Sequence, residues 1–87
     1  MPPLHFIYIV RCADSTLYTG YARDPAAREQ VHNHGKGARY TRGRRPVSLV
    51  YAEACASRSE ALKREHRLKR WSRARKEALI TNGTKSI

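Results

Sequence analysis

The sequence predicts one α+β domain in which helices pack against a single sheet, with the elements in the order β-β-α-β-α-α. Two runs of β-branched and aromatic residues near the N-terminus indicate paired strands, and three later segments begin with helix-capping residues. The length of 87 residues allows one modest hydrophobic core and excludes a second independent domain. We therefore expect a single domain over residues 1–87, with its core at about 5–80 and a short C-terminal tail at 81–87.

The N-terminal segment predicts a β-hairpin. The runs HFIYIVRC and TLYTGY have the composition of strands, and CADST between them supplies turn-forming residues. If a turn of odd length is centred on Ala13, Tyr8 faces Tyr18 across the ladder and both phenols point to one side. A turn of even length would separate them.

A short helix is predicted after the hairpin, from about Pro25 to Asn33, because Asp24 can cap it and proline suits its first turn. Arg28 and His32 lie four residues apart and share a face of this helix. The next segment, HGKGARYTRGRRP, contains three glycines and five Lys or Arg residues without an apolar period, which predicts a basic loop.

The C-terminal half predicts a strand and two helices. VSLVYAEA has strand-like composition. Ser57 and Glu60 form a capping-box pattern at the start of a strongly basic helix. Ser72 can cap a last helix that ends near Ile80, before the helix-stopping segment TNG.

The charge balance predicts a polyanionic partner. Eighteen Lys and Arg against seven Asp and Glu give a formal charge of +11, which favours nucleic acid. Protection against aggregation and binding to an anionic membrane surface are alternative uses of this charge. Cys12 and Cys55 lack disulfide or metal spacing, and no leader or membrane span is evident, so we expect reduced thiols, a cytoplasmic location and no membrane association.

An acidic residue interrupts the apolar face of the basic helix. The apolar stripe consists of Ala61, Leu62 and Leu68. Steps of three or four residues along this stripe reach Glu65. Glu65 has two interpretations: a salt bridge with Lys69 or Arg58, or a ligand for Mg²⁺, which needs few protein carboxylates when substrate phosphate completes its coordination.

These segments, taken in order, resemble the GIY-YIG nuclease superfamily, in particular its small single-domain bacterial members of the YhbQ and YazA type. The resemblance rests on IYIV and YTG with their tyrosines ten residues apart, the helical arginine followed by histidine, and RSEALKREHRLKRW. It extends from about Phe6 to Ile80. It implies a three-stranded antiparallel sheet flanked by helices, with a metal-dependent phosphodiesterase site on one sheet face.

The resemblance also implies the site residues. The catalytic residues are Tyr8, Tyr18, Arg28, His32 and Glu65, and Gly20 is a structural residue that allows a close backbone approach. Glu65 is the implied ligand of one Mg²⁺ or Mn²⁺ ion, and no small-molecule cofactor is expected. Two departures are Phe6, where the first motif has its glycine, and Ser15, where close relatives usually have glycine in the turn.

The implied function is metal-dependent endonuclease hydrolysis of DNA that leaves a 5′ phosphate and a 3′ hydroxyl, in repair, recombination or processing of structured or single-stranded DNA. Tyr8 is the candidate general base, directly or through His32, with its pKa depressed by neighbouring cations. The alternatives are a non-catalytic binder of DNA or RNA on a nuclease scaffold, and a module that docks an acidic protein.

The expected partner is nucleic acid, with DNA favoured over RNA, and a basic surface is expected to hold its phosphates. The candidate binding residues are Arg23, Lys36, Arg39, Tyr40, Arg42, Arg44, Arg45, Lys63, Arg70 and Arg73. Tyr40 either stacks on an unpaired base or packs within the protein.

Overall fold

Three strands and four helices make up residues 4–83, the part of the chain that the computed structural model describes. The elements are β1 (His5–Arg11), β2 (Leu17–Ala22), α1 (Pro25–Asn33), α2 (Arg39–Arg42), β3 (Ser48–Cys55), α3 (Arg58–Lys69) and α4 (Arg73–Gly83). The strands form one sheet in the order β2-β1-β3, and β1 is antiparallel to both neighbours. The predicted α+β class and three-stranded antiparallel sheet are confirmed, with α2 as an additional element.

The register of the hairpin differs from the prediction. Tyr8 pairs with Gly20, and Tyr18 pairs with Val10, so the expectation that the two tyrosines face each other directly is wrong. The displacement amounts to two residues of pairing, and side chains alternate between faces with a period of two. Both phenols therefore still lie on one side of the sheet, with their ring centroids 6.5 Å apart.

The turn explains the altered register, because its centre is Asp14 instead of Ala13. One Asp14 carboxylate oxygen accepts hydrogen bonds from the amide of Thr16 at 3.1 Å and from its hydroxyl at 2.6 Å. Ser15 has a φ of 71°, in the left-handed region where glycine is favoured. The side chain of Asp14 thus stabilises a turn in which the expected glycine is replaced by serine.

The two N-terminal helices have different origins. Asp24 caps α1 by accepting a hydrogen bond from the amide of Ala27 at 3.1 Å, as predicted. The segment predicted to be a loop contains the short helix α2. The prediction of a loop is therefore partly wrong. The fully buried side chain of Thr41 anchors this turn through tertiary hydrogen bonds, which no local pattern in the sequence reveals.

The C-terminal helices begin where the sequence predicts. The hydroxyl groups of Ser57 and Ser72 accept hydrogen bonds from backbone amides three residues later, at 3.1 and 3.2 Å. Helix α4 continues past the predicted end at Ile80 to Gly83, where a Cβ atom would collide with the ring of Tyr51. The predicted stop at TNG is therefore wrong, and residues 84–87 of the predicted tail lie outside the described residues.

The two faces of the sheet carry different clusters of side chains. On one face, Ile7 and Ile9 of β1 pack with residues from α3 and α4. The contributions of these helices are Ala61, Leu68 and Ile80. On the other face, Tyr8 and Val10 pack with Cys12, Ala22 and Val47. Leu62, assigned to the apolar stripe from the sequence, is 37% exposed, so that assignment is wrong.

None of the described helices is both long enough and apolar enough to cross a membrane.

Candidate active site

A buried chain of hydrogen bonds links β1, α1 and α2. The hydroxyl of Tyr8 lies 2.7 Å from Nε2 of His32, and Nδ1 of His32 lies 2.8 Å from Oγ1 of Thr41. All three side chains are at most 1% exposed. Three residues therefore form one polar unit inside the core, although the first and last of them, at positions 8 and 41, are 33 positions apart in sequence.

The hydrogen bonds define which nitrogen of His32 carries the proton. The Thr41 hydroxyl donates to the carbonyl of Ala38 at 2.9 Å, so its oxygen accepts from Nδ1–H of His32. Nε2 of the neutral ring is then an acceptor, and Tyr8 donates to it. The Ala38 amide also approaches Nδ1, but its distance of 3.4 Å is at the limit of a hydrogen bond, so the shorter contacts decide the tautomer.

Burial sets the protonation state of His32. Burial lowers its pKa, and the charge of Arg28 lowers it further. The imidazole is therefore neutral at neutral pH, which matches its role as an acceptor at Nε2.

Burial also dominates the pKa of Tyr8, but in the upward direction. Desolvation raises this pKa most, Tyr18 and Glu65 raise it further, and Arg28 opposes them. The prediction that surrounding cations depress the Tyr8 pKa is therefore wrong for the protein alone. Arg28 acts in the predicted direction, but the desolvation of the phenol outweighs its charge.

Two glycines make room for the polar chain. A Cβ atom on Gly20 would lie 2.6 Å from the Tyr8 hydroxyl, and one on Gly37 would overlap Nδ1 of His32. The close approach predicted for Gly20 is thus an approach to the Tyr8 ring, which lies over the strand partner β2. Gly37 serves the same purpose for His32, a role that the sequence does not signal.

Helix α1 is held in place by residues that directly follow its two site residues in the sequence. Glu29 accepts a hydrogen bond from the amide of Leu49 at 2.6 Å, and the Asn33 amide group bonds both backbone groups of Val47, at 2.7 and 3.0 Å. Each anchor directly follows a site residue, Arg28 or His32. The contacts with the beginning of β3 therefore fix the helix that presents those two side chains.

An aromatic stack extends the site outward from Tyr18. The Tyr18 ring lies 5.5 Å from the ring of His32 in an edge arrangement and 5.9 Å from the ring of Tyr40 in a stacked one. The guanidinium of Arg44 lies 4.0 Å from the centre of the Tyr40 ring. Tyr40 is thus packed between these groups while remaining 38% exposed.

Glu65 forms one of the two interactions considered from the sequence, the salt bridge. Its carboxylate pairs with Lys69 at 3.1 Å, as one interpretation predicted, and its side chain is 18% exposed. Its negative charge also raises the pKa of Tyr8, so the carboxylate interacts electrostatically with the phenol. The Lys69 ammonium lies 5.6 Å from the centre of the Tyr18 ring, which adds a cation that sequence reasoning considered only as a salt-bridge partner.

The chemistry of Glu65 fits the implied divalent ion. Mg²⁺ and Mn²⁺ prefer carboxylate oxygens and take further ligands from water and phosphate. Glu65 offers such an oxygen beside Tyr8 in a chain of charge +11. Within residues 4–83, no three His, Cys, Asp or Glu side chains come together as a metal cluster.

The predicted binding residues differ in exposure. The exposed members are Arg23, Lys36, Arg39, Tyr40, Arg42, Arg45, Lys63, Arg70 and Arg73. Arg44 is half-buried, because it bonds Asp14 at 3.0 Å and the Tyr40 carbonyl at 2.9 Å. Arg45 bonds the carbonyls of Arg42 and Asn33. Arg44 and Arg45 therefore also stabilise the loop that carries α2.

Sequence reasoning missed one member of the buried chain. Thr41 is fully buried and bonded to His32, but a threonine within a basic, glycine-rich segment gives no signal of burial. Only the contact between α1 and α2 identifies it.

Comparison with known proteins agrees with the fold. A family model described as the GIY-YIG catalytic domain matches residues 4–78. The chain therefore belongs to the GIY-YIG family, which is part of a nuclease superfamily.

The similar proteins are small bacterial members of this family. The chain is 56% identical over 79 residues to the UPF0213 protein SERP0126 of Staphylococcus epidermidis, covering 91% of this chain and 96% of that protein. It is 57% identical over 76 residues to the UPF0213 protein SA0446 of Staphylococcus aureus, covering 87% and 93%.

A solved structure shows the same fold. The solution structure of the UPF0213 protein BH0048 of Bacillus halodurans matches with a TM-score of 0.60 and 44% identity, covering 92% of this chain and 85% of that one. The protein EF2693 of E. faecalis matches with a TM-score of 0.59 and 38% identity, covering 90% and 83%.

Proposed function

We propose that the protein is a metal-dependent DNA endonuclease that hydrolyses phosphodiester bonds to leave a 5′ phosphate and a 3′ hydroxyl. The observation that supports this most is the buried chain from Tyr8 through His32 to Thr41, because its neutral imidazole offers Tyr8 a proton acceptor. The nearby Arg28 and Glu65 supply the charges that phosphodiester hydrolysis requires.

The proton of the attacking water passes through Tyr8. Water attacks phosphorus and gives its proton to the Tyr8 oxygen, while the Tyr8 proton moves to Nε2 of His32. The bond from phosphorus to the 3′ oxygen breaks, and that oxygen takes a proton from solvent. His32 keeps its Nδ1 proton bonded to Thr41 and carries one positive charge until it returns the Nε2 proton to solvent.

Coupled proton transfer allows Tyr8 to act despite its raised pKa. A free tyrosinate would be scarce at neutral pH, because burial raises the pKa of this phenol. Tyr8 accepts a proton from water while it donates its own proton to His32, so no tyrosinate forms. The neutral His32 is therefore the group that acts as the base. Tyr18, whose ring contacts both, orients the water.

Arg28 and Glu65 act on the phosphate. The guanidinium of Arg28 binds two phosphate oxygens, for which its planar fork is suited. Glu65 would hold one Mg²⁺ or Mn²⁺ ion, which supplies positive charge to stabilise the transition state when it is bound. Removal of the metal is therefore expected to abolish cleavage but not DNA binding.

The exposed cations explain binding without sequence preference. Phosphate contacts by Lys and Arg carry no sequence information and release counterions, so affinity falls steeply with salt. DNA is proposed as the substrate ahead of RNA, in repair, recombination or processing of structured or single-stranded DNA in the cytoplasm.

Glu65→Gln tests the proposal. We expect end-labelled DNA to be cleaved by the wild type with Mg²⁺ or Mn²⁺ but not with EDTA. The variant should lose roughly 10²-fold or more in rate, with DNA affinity by fluorescence anisotropy unchanged or slightly higher. Glu60→Gln is the matched control, since Glu60 is an exposed carboxylate on the same helix. Undiminished cleavage by Glu65→Gln would refute the metal role.

A further inference from the structure

A small cavity lies where the end of the hairpin meets α2 and α4. It has a volume of about 220 Å³ and is lined by Thr16, Leu17, Tyr40, Arg73 and Lys76. Only Tyr40 and Arg73 among these lining residues belong to the predicted nucleic-acid-binding set. Two of the five lining groups are cations, which indicates an anionic ligand.

The two cations belong to α4 and are spaced to act together. Arg73 and Lys76 are three residues apart, so their side chains share a helix face. Arg73 approaches Glu77 at 3.6 Å, but Glu77 is held by two shorter bonds from Arg11, at 2.7 and 2.8 Å. Most of the Glu77 charge is thus compensated by Arg11, and Arg73 keeps donors for another anion.

Lys76, unlike Arg73, has no acidic partner among the described residues. Within residues 4–83, no carboxylate lies within 4.0 Å of its ammonium. The side chain is half-buried, and burial together with the charge of Lys69 lowers its pKa. A cation in this position is destabilised by desolvation and by a like charge, and the attraction of a bound anion would offset both costs.

The cavity is connected to the catalytic groups by a single ring. Tyr40 lines the cavity and stacks on Tyr18 at 5.9 Å. The Lys69 ammonium lies 5.6 Å from the other ring, that of Tyr18, and acts electrostatically on Lys76. The rings of Tyr18 and Tyr40 thus form a continuous aromatic surface between Tyr8 and this cavity.

We propose that Lys76 and Arg73 form a second phosphate subsite, which binds another backbone phosphate of the strand that is cleaved. Leu17 and the Tyr40 edge contact the sugar. This subsite rests on the proposed function. It positions the strand so that the reacting phosphate meets Tyr8, instead of taking part in the bond changes.

Lys76→Met tests the subsite by a binding readout. Wild-type protein in EDTA is titrated with a four-nucleotide oligothymidylate while backbone amide signals are followed by NMR. We expect saturable shifts at Thr16 and Leu17, and about tenfold weaker affinity in the variant. Arg67→Met is the control, because Arg67 lines a different depression on the outward face of α3. Absent shifts at Thr16 and Leu17, or an affinity that is unchanged in Lys76→Met, would overturn the proposal.

Kinetics separate this subsite from the nuclease activity. Lys76→Met should raise KM with kcat unchanged, and should reduce the salt dependence of binding by about one phosphate contact. If the shifts at Thr16 and Leu17 depend on Lys76 but no DNA is cut, the subsite stands and the proposed nuclease function fails. If DNA is cut and KM is the same in Lys76→Met, the subsite alone fails.

Discussion

Tyr8→Phe, which removes one hydroxyl from the core, should have separable effects on the stability of the fold and on the rate of DNA cleavage. Tyr8→Phe keeps the ring that packs over Gly20 and deletes the hydroxyl that lies 2.7 Å from Nε2 of His32. The variant therefore retains the packing of the strand but has no group to pass a proton from water to the imidazole.

The structure gives two magnitudes for this change. His32 is 1% exposed, so its Nε2 acceptor is left without a partner, which costs about 1–3 kcal/mol of the free energy of unfolding. For a domain of this size, each kcal/mol lowers the melting temperature by about 4–8 °C. Loss of a general acid–base group lowers the cleavage rate by roughly 10²–10⁴-fold.

Single-turnover cleavage of end-labelled DNA measures the catalytic effect, and thermal unfolding measures the stability. Tyr51→Phe is the matched control, because its hydroxyl also donates a hydrogen bond in the core, to Glu53 at 2.6 Å, outside the catalytic chain. We expect both variants to be less stable and only Tyr8→Phe to lose cleavage. A folded Tyr8→Phe protein that cuts DNA at the wild-type rate would refute the role of the phenol.

Three further changes test the packing and protonation of the core. Gly20→Ala should displace the Tyr8 ring, because its new Cβ would lie 2.6 Å from the hydroxyl; we expect a loss of about 1–3 kcal/mol by denaturant unfolding, and wild-type stability would contradict the contact. The Thr19 hydroxyl is buried with no partner among residues 4–83, so Thr19→Val should stabilise the fold by about 1 kcal/mol, whereas a less stable variant would show that the hydroxyl is bonded. The pKa of His32 is lowered in the folded state, so the unfolded chain binds more protons and stability falls as pH decreases below about 6.5; His32→Gln should flatten this decline in urea titrations, and an unchanged slope would contradict it.

Most of the fold could be predicted because its signals are local. Asp24, Ser57 and Ser72 begin helices through contacts with amides three residues away, and such contacts are encoded in adjacent positions. The register of the hairpin was not predictable in this way. It depends on which turn residue supplies the hydrogen bonds, and both Asp14 and a centre at Ala13 were compatible with the pattern.

The members of the candidate site could be proposed from the sequence, but their electrostatics could not. The matching motifs identify Tyr8 and His32, and the structure places them within 2.7 Å of each other. Their pKa values depend on burial, which arises from packing between distant segments. Thr41 was missed for the same reason, since its burial depends on the contact of α2 with α1.

The most direct test of the account is the incubation of wild-type protein with end-labelled DNA in Mg²⁺, Mn²⁺ or EDTA, followed by identification of the product ends. The account predicts cleavage only when a divalent metal is present, with a 5′ phosphate and a 3′ hydroxyl at each cut. DNA that is bound but remains uncut with either metal would contradict it and would favour a non-catalytic nucleic-acid binder on the same fold.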